Sequence, residues 1–226
     1  VSGADLTSIL LTLKVALVAV AIDLPPALVA ARLLARRRFP GRAVLETILS
    51  LPLVLPPVAS GFVLLMVLAP EGHVGRFLTQ TLGVHVVFNW PGAALAAAVV
   101  SFPLMLRSLL LGFESVDPRL AQVARTLGAG PLAAFWRVQL PLALPGVLAG
   151  CLLAFARALG EFGATVMVAG SIPGVTRTLS LDLYHRVLTG DEAGALRLAL
   201  LSTALAFTVL GLGRLAERRL REGARA

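Results

Sequence analysis

One lysine, one cysteine, one tyrosine and three histidines occur in 226 residues, and only 14% of the chain is charged. Each scarcity removes a class of function. The single cysteine, Cys151, permits neither an intrachain disulfide nor a thiolate metal site, and it reads as a small apolar residue. The sole lysine, Lys14, follows Leu11, Thr12 and Leu13 instead of glycines, so there is no phosphate-cradling P-loop. His73, His85 and His185 lack the paired spacing of a zinc or haem site and read as solvated surface residues. Neither a GxSxG elbow nor an HExxH helix occurs, so nothing points to an enzyme, and no cofactor or metal is expected in this chain.

What is abundant is apolar. Hydrophobic residues make up 58%, and the mean hydropathy is +0.89. Both values indicate an all-α polytopic membrane protein. No charge falls between Ile48 and Pro70, and a helix of that length, rising about 1.5 Å per residue, crosses a hydrocarbon core of roughly 30 Å. Charge-poor windows place five spans at 6–34, 48–68, 92–111, 142–168 and 196–213, within one transmembrane domain covering 1–226. The last window is short, but Arg197 and Arg214 at its ends can snorkel. The N-terminus has no basic n-region, so the first span is expected to be retained.

Basic residues are distributed unevenly between the two faces. Arg36, Arg37, Arg38 and Arg42 follow the first span; Arg107, Arg119, Arg125 and Arg137 separate the third and fourth; Arg214, Arg218, Arg219, Arg221 and Arg225 follow the fifth. The opposite face receives only Arg76, Arg177, Arg186 and Arg197. Retention of cations on the cytoplasmic side then puts the N-terminus outside and the C-terminus in the cytoplasm. Membrane topology accounts for the net charge of +8, so nucleic acid is not an expected partner.

Between the third and fourth spans lies a polar island, 117–141, DPRLAQVARTLGAGPLAAFWRVQLP. Asp117 can cap a helix opening at Pro118, Gly128 can supply its left-handed stop, and a second short helix can open at Pro131. Helical spacing groups Arg119, Gln122, Arg125 and Thr126 on one side and Leu120, Val123, Ala124 and Leu127 on the other. Such an amphipathic helix needs a second apolar surface, which makes the island a docking element. Within the fourth span, Arg157 and Glu161 lie one turn apart and can neutralise each other. Gly160 and Gly163 flank Glu161, and Gly146 with Gly150 forms a small-xxx-small repeat suited to a dimer seam, a gate or intrachain packing. Pro52, Pro56 and Pro57 interrupt the second span, where broken backbone is tolerated beside a cavity. Asp23, before Pro25 and Pro26, is expected to pair with Lys14 or an arginine, or to be protonated.

The island resembles the loop of type I ABC import permeases: EAA, three residues, glycine, nine residues, an aliphatic, one residue, then Leu-Pro. Gln122-Val123-Ala124, Gly128, Val138 and Leu140-Pro141 keep every spacing, while two of the three EAA letters differ. LLARRRFPGR with LPLVLPP, and FARALGEFGAT with SIPGVTRTL, are similar more narrowly to molybdate or tungstate permease subunits. That resemblance implies a homodimer with one path for molybdate-like oxyanions in a cell inner membrane. It also implies two cytoplasmic ABC ATPase subunits, which use ATP and Mg, and a periplasmic molybdate-binding protein. The coupling residues it implies are Gln122, Val123, Ala124, Leu127, Gly128, Val138, Leu140 and Pro141. Pathway or span-packing candidates are Arg157, Gly160, Glu161, Gly163, Pro56 and Pro57; Thr176, Arg177 and Thr178 are candidates to touch the binding protein. Tungstate and sulfate permeases are the alternatives, followed by a passive or secondary transporter whose island is structural, and by a membrane scaffold.

Overall fold

The computed structural model describes residues 3–36, 39–83 and 85–223, and its regular structure there is helical throughout. Arg37, Arg38 and Arg225, used above for sidedness, lie outside the described residues. Four long apolar helices carry the architecture: α1 (Gly3–Arg36), α5 (Trp90–Glu114), α8 (Leu140–Leu159) and α11 (Glu192–Gly223). Shorter elements are α2 (Arg42–Val54), α3 (Pro57–Leu68), α4 (His73–Leu82), α6 (Pro118–Thr126), α7 (Pro131–Ala134), α9 (Gly163–Ala169) and α10 (Leu179–Leu188).

Helix α5 is the hub. Asn89 opens it by accepting from the Trp90 N–H at 2.8 Å, and its alanines, Ala93, Ala94, Ala96, Ala97 and Ala98, are all buried. Small side chains let α1 and α8 approach closely on either side. The crossing of α5 with α8 has no room to spare. A Cβ on Gly146 would lie 2.6 Å from the Gly112 Cα, and one on Gly150 would lie 2.5 Å from a Leu109 methyl. The small-residue repeat is therefore consumed within the subunit. Gly146→Val should cost about 1–3 kcal/mol through overpacking, measured as a lowered unfolding midpoint in detergent; an unchanged midpoint would contradict this packing.

Large apolar side chains remain exposed along α1, α3 and α11, among them Leu17, Val29, Val63, Met66, Leu200 and Phe207. In water such a surface would drive aggregation, whereas lipid tails solvate it at no cost.

Two expected spans are revised. The 48–68 window is not one rod: α2 and α3 meet at a 111° bend across Leu55 and Pro56. Pro56 and Pro57 cannot donate to the helical ladder, so the chain stops at Leu55 and restarts with Pro57 as the first helical residue. The 142–168 window likewise ends early, at Leu159, and α9 begins at Gly163. The two breaks adjoin, since a Cβ on Gly163 would lie 3.0 Å from the Pro57 Cβ and 3.1 Å from the Val58 nitrogen. Beyond them α3 and α9 run together, with Gly61 against the Ala164 backbone.

At the end of the molecule that carries α10, polar side chains fasten the start of α1 to the last helices. Arg186 reaches Asp5 at 2.6 Å, Asp191 at 3.3 Å and Asp182 at 3.6 Å. Arg197 adds a 3.3 Å contact to Asp5. Burial works against the Arg186 charge, but Asp182, Asp5 and Asp191 outweigh it and hold the guanidinium above its usual range. One turn further along α1, Ser8 donates to Asp182 at 3.0 Å. The Thr12 hydroxyl then accepts from the Leu179 N–H at 2.8 Å, capping α10 from a helix 167 residues away in sequence. Asp5, Ser8 and Thr12 lie three and four residues apart, so one face of α1 makes all these contacts.

Among the described residues Asp23 pairs with neither Lys14 nor an arginine. It is 3% exposed and accepts from the Ser101 hydroxyl of α5 at 2.9 Å, while Lys14 lies 3.6 Å from the centroid of the Trp90 ring.

Candidate functional site

Helix α6 forms as its sequence dictates. Asp117 accepts from the Arg119 N–H at 2.8 Å and Pro118 is the first helical residue. Its far end closes in a Schellman turn. Gly128, at φ +90°, donates to the Arg125 carbonyl at 3.0 Å, and Ala129 donates to the Ala124 carbonyl at 3.0 Å. Only a residue tolerant of positive φ fits that corner.

Held at both ends, α6 rests on its own subunit through buried Ala121 and presents Leu120, Val123 and Leu127 outward at 45%, 55% and 83% exposure. Ala124 is half-buried beside them, and Gln122 is exposed. An apolar stripe on a capped, amphipathic helix that no element covers among the described residues has the form of a docking face. Two residues outside the expected set, Leu132 and Trp136, extend this apolar surface on the return segment at 65% and 55% exposure. The signal that marks them is a spacing of four residues between two large apolar side chains inside a polar island.

The return segment departs from expectation. The second helix opens at Pro131 as expected, but it is not a separate short helix: α7 continues through a π-helical turn, Phe135–Gln139, into α8. Val138 and Leu140 are half-buried along this turn, and Pro141 lies within the continuous helix instead of closing a loop. Arg42 bonds Glu114 at 3.2 Å, and the Arg32 guanidinium lies 4.2 Å from the Phe135 ring centroid. Both contacts bring basic residues of α1 and α2 to the α6 end.

Deeper in the bundle the structure brings Arg157 and Glu161 together at 2.7 Å, with side-chain exposures of 28% and 2%. Glu161 does two things at once. Its second carboxylate oxygen accepts from the Ala164 N–H at 2.8 Å, so the buried acid both neutralises Arg157 and caps α9. Gly160 faces open space, whereas Gly163 is pressed on Pro57 at the adjoining break. A partly exposed guanidinium balanced by a buried carboxylate can meet a passing anion without trapping it.

The loop before α10 needs a correction. Thr176 is fully buried and Thr178 is 3% exposed, so neither presents a surface to an external protein. Thr176 accepts from the Ile172 N–H at 2.9 Å, and Arg177 folds back onto Ser171 at 3.2 Å. These bonds close the turn and leave Ile172 and Val175 at its exposed tip.

Residues 27–222 match the family model described as the binding-protein-dependent transport system inner membrane component. The chain is 50% identical over 204 residues to the molybdenum transport system permease protein ModB of Escherichia coli K12, covering 90% of this chain and 89% of that one. It is 42% identical to the protein of the same name from Haemophilus influenzae, covering 96% of each. Identity to the sulfate transport system permease protein CysW of a Synechocystis strain is 36%, covering 92% of this chain and 75% of that one. Among solved structures, a bacterial ABC transporter importing alginate aligns with TM-score 0.76 at 17% identity, over 97% of this chain and 80% of that one. The methionine transporter MetNI aligns with TM-score 0.71 at 18% identity, covering 94% of each. A capped amphipathic helix between two membrane helices, a second helix pair broken at a double proline, and this breadth of similarity agree: the chain belongs to the binding-protein-dependent transport-system inner membrane component family and has the fold of a type I ABC importer permease.

Proposed function

We propose that this chain is the membrane subunit of an ATP-driven molybdate importer, working as a homodimer on two cytoplasmic ATPase subunits and fed by an external binding protein. The observation that carries the reading is the outward apolar stripe of α6, Leu120, Val123 and Leu127, on a helix fixed by Asp117 and Gly128. A helix transmits displacement only when its ends are fixed, and this one is joined by the short turn 127–130 to the continuous segment of α7 and α8. ATP and Mg act on the partner subunits. Molybdate is favoured over sulfate by the higher identity to the molybdenum permeases, 50% and 42% against 36%.

The distribution of arginines supports an inner-membrane orientation with α6 in the cytoplasm and both α10 and the N-terminus outside. Arg107, Arg119, Arg125 and Arg137 lie around α6, and Arg214, Arg218, Arg219 and Arg221 follow the last span, against Arg76, Arg177, Arg186 and Arg197 on the other face. Basic residues near span ends are retained on the cytoplasmic side. The path runs between the two copies beside the abutting breaks of α2–α3 and α8–α9, with Arg157 and Glu161 on its wall. The binding protein lands on the loop tip at Ile172–Val175.

A pull-down of the solubilised protein with its host's ATPase subunits tests this reading. Capture by the wild type, and its loss in Val123→Asp with Leu127→Asp, is the expected result. These substitutions face outward and should leave the stability within about 0.5 kcal/mol of wild type. No capture under any nucleotide condition would move the assignment to a carrier that needs no ATPase.

A further inference from the structure

Helix α8 begins with a defect that has an identifiable cause. Over Phe135–Gln139 the helix widens by one residue, and the Leu140 N–H reaches the Phe135 carbonyl five positions back. Pro141 explains the location, because in a regular α-helix its ring would collide with the Arg137 carbonyl, and one extra residue in the turn relieves that collision. Both flanks of the turn are pinned to the same helix, α5. On one side Phe135 stacks on Phe113 with ring centroids 5.9 Å apart, under the Arg32 guanidinium. On the other, Gly146 is pressed against Gly112. Inside the turn, Gln139 is 1% exposed and its Oε1 has no hydrogen-bond donor among the described residues.

We propose that this π-helical turn is an adjustable joint between the docking helix and the membrane path, and that Gln139 is its positioning residue. The proposal rests on the ATPase-coupled reading above and adds the mechanism by which motion of α6 reaches α8. Conversion of the turn from π to α removes one residue from the register, a step of about 1.5 Å along the axis and about 100° of rotation. Two pinned flanks do not deform continuously; they exchange one packed arrangement for another. Gln139 biases that exchange. Its amide oxygen lacks a donor in the form seen here and gains one in the other form, so the side chain favours leaving the present state. Trp136 lies in the same turn and is exposed, which puts the joint itself within reach of a docked ATPase.

The test uses the complete complex of permease, ATPase subunits and molybdate-loaded binding protein in nanodiscs. Gln139→Met keeps the side chain's length and removes the undonated oxygen. It is expected to leave basal ATP hydrolysis unchanged and the melting temperature equal or higher, while uptake falls about fivefold because the alternate state has lost its added hydrogen bond. Pro141→Ala, which removes the cause of the widened turn, should lower uptake as well. A melting temperature and an uptake that fall together in Gln139→Met would mark Gln139 as ordinary packing and overturn the joint. Unchanged uptake in both variants would overturn it equally. If the wild-type permease captures no ATPase, the coupled reading falls and takes the joint with it, so the two failures are distinguishable.

Discussion

Gly128→Pro should abolish ATP-driven uptake while leaving the protein inserted in the membrane. Gly128 holds φ at +90° and donates to the Arg125 carbonyl; proline fixes φ near −65° and has no N–H to give. The mismatch costs about 3 kcal/mol or more, which lowers the population of the native turn by roughly a hundredfold. A Cβ at position 128 would meet nothing within 4 Å, so the damage is confined to the turn and does not spread through the bundle. Asparagine tolerates the left-handed region, and Gly128→Asn should retain most uptake. Protease protection reports insertion, and uptake into proteoliposomes reports coupling. Full transport by the proline variant would mean that the orientation of α6 is irrelevant to the cycle.

Glu161→Leu should produce the largest loss of stability of any single change considered. It strips Arg157 of its partner at 2.7 Å and removes the acceptor for the Ala164 N–H. Breaking a buried pair from one side costs about 3–5 kcal/mol, because the remaining charge stays behind without compensation. Glu161→Gln keeps an oxygen for Ala164 and loses only the ion pair, so it should fall between wild type and Glu161→Leu. Combining Glu161→Leu with Arg157→Leu should recover stability relative to Glu161→Leu alone, the sign of a direct coupling. Unfolding midpoints of the four proteins in detergent decide the matter. Equal destabilisation by Gln and Leu would assign the whole effect to the ion pair and none to the α9 cap.

The parts of this molecule that are legible in its sequence are those governed by neighbours along the chain. Asp117, Pro118 and Gly128 announce both ends of α6, because capping and left-handed corners are decided within five residues. Arg157 and Glu161 announce their pairing through a spacing of one helical turn. Pro56 and Pro57 signal a break, although the 111° angle depends on how α3 lies against α9, which no local pattern encodes. The π-helical turn escapes detection because Pro141 reads equally well as the end of a loop. Thr176 and Thr178 mislead for a different reason: polar residues in a loop suggest the surface, while Thr176 turns inward to accept from the Ile172 N–H and Thr178 is buried at the start of α10. Asp23 finds Ser101, a partner 78 residues away whose hydroxyl carries no charge to search for.

The fastening of Asp5 to Arg186 and Arg197 bears on how the protein is made. Its partners leave the ribosome some 181 residues after Asp5 does. Until α10 and α11 have been made and packed against α1, an acid that ends up wholly buried has neither arginine beside it. A chain that stops short of α10 therefore has an acid at the start of α1 without the two arginines that balance it in the finished bundle, so the last helices complete the packing of the first.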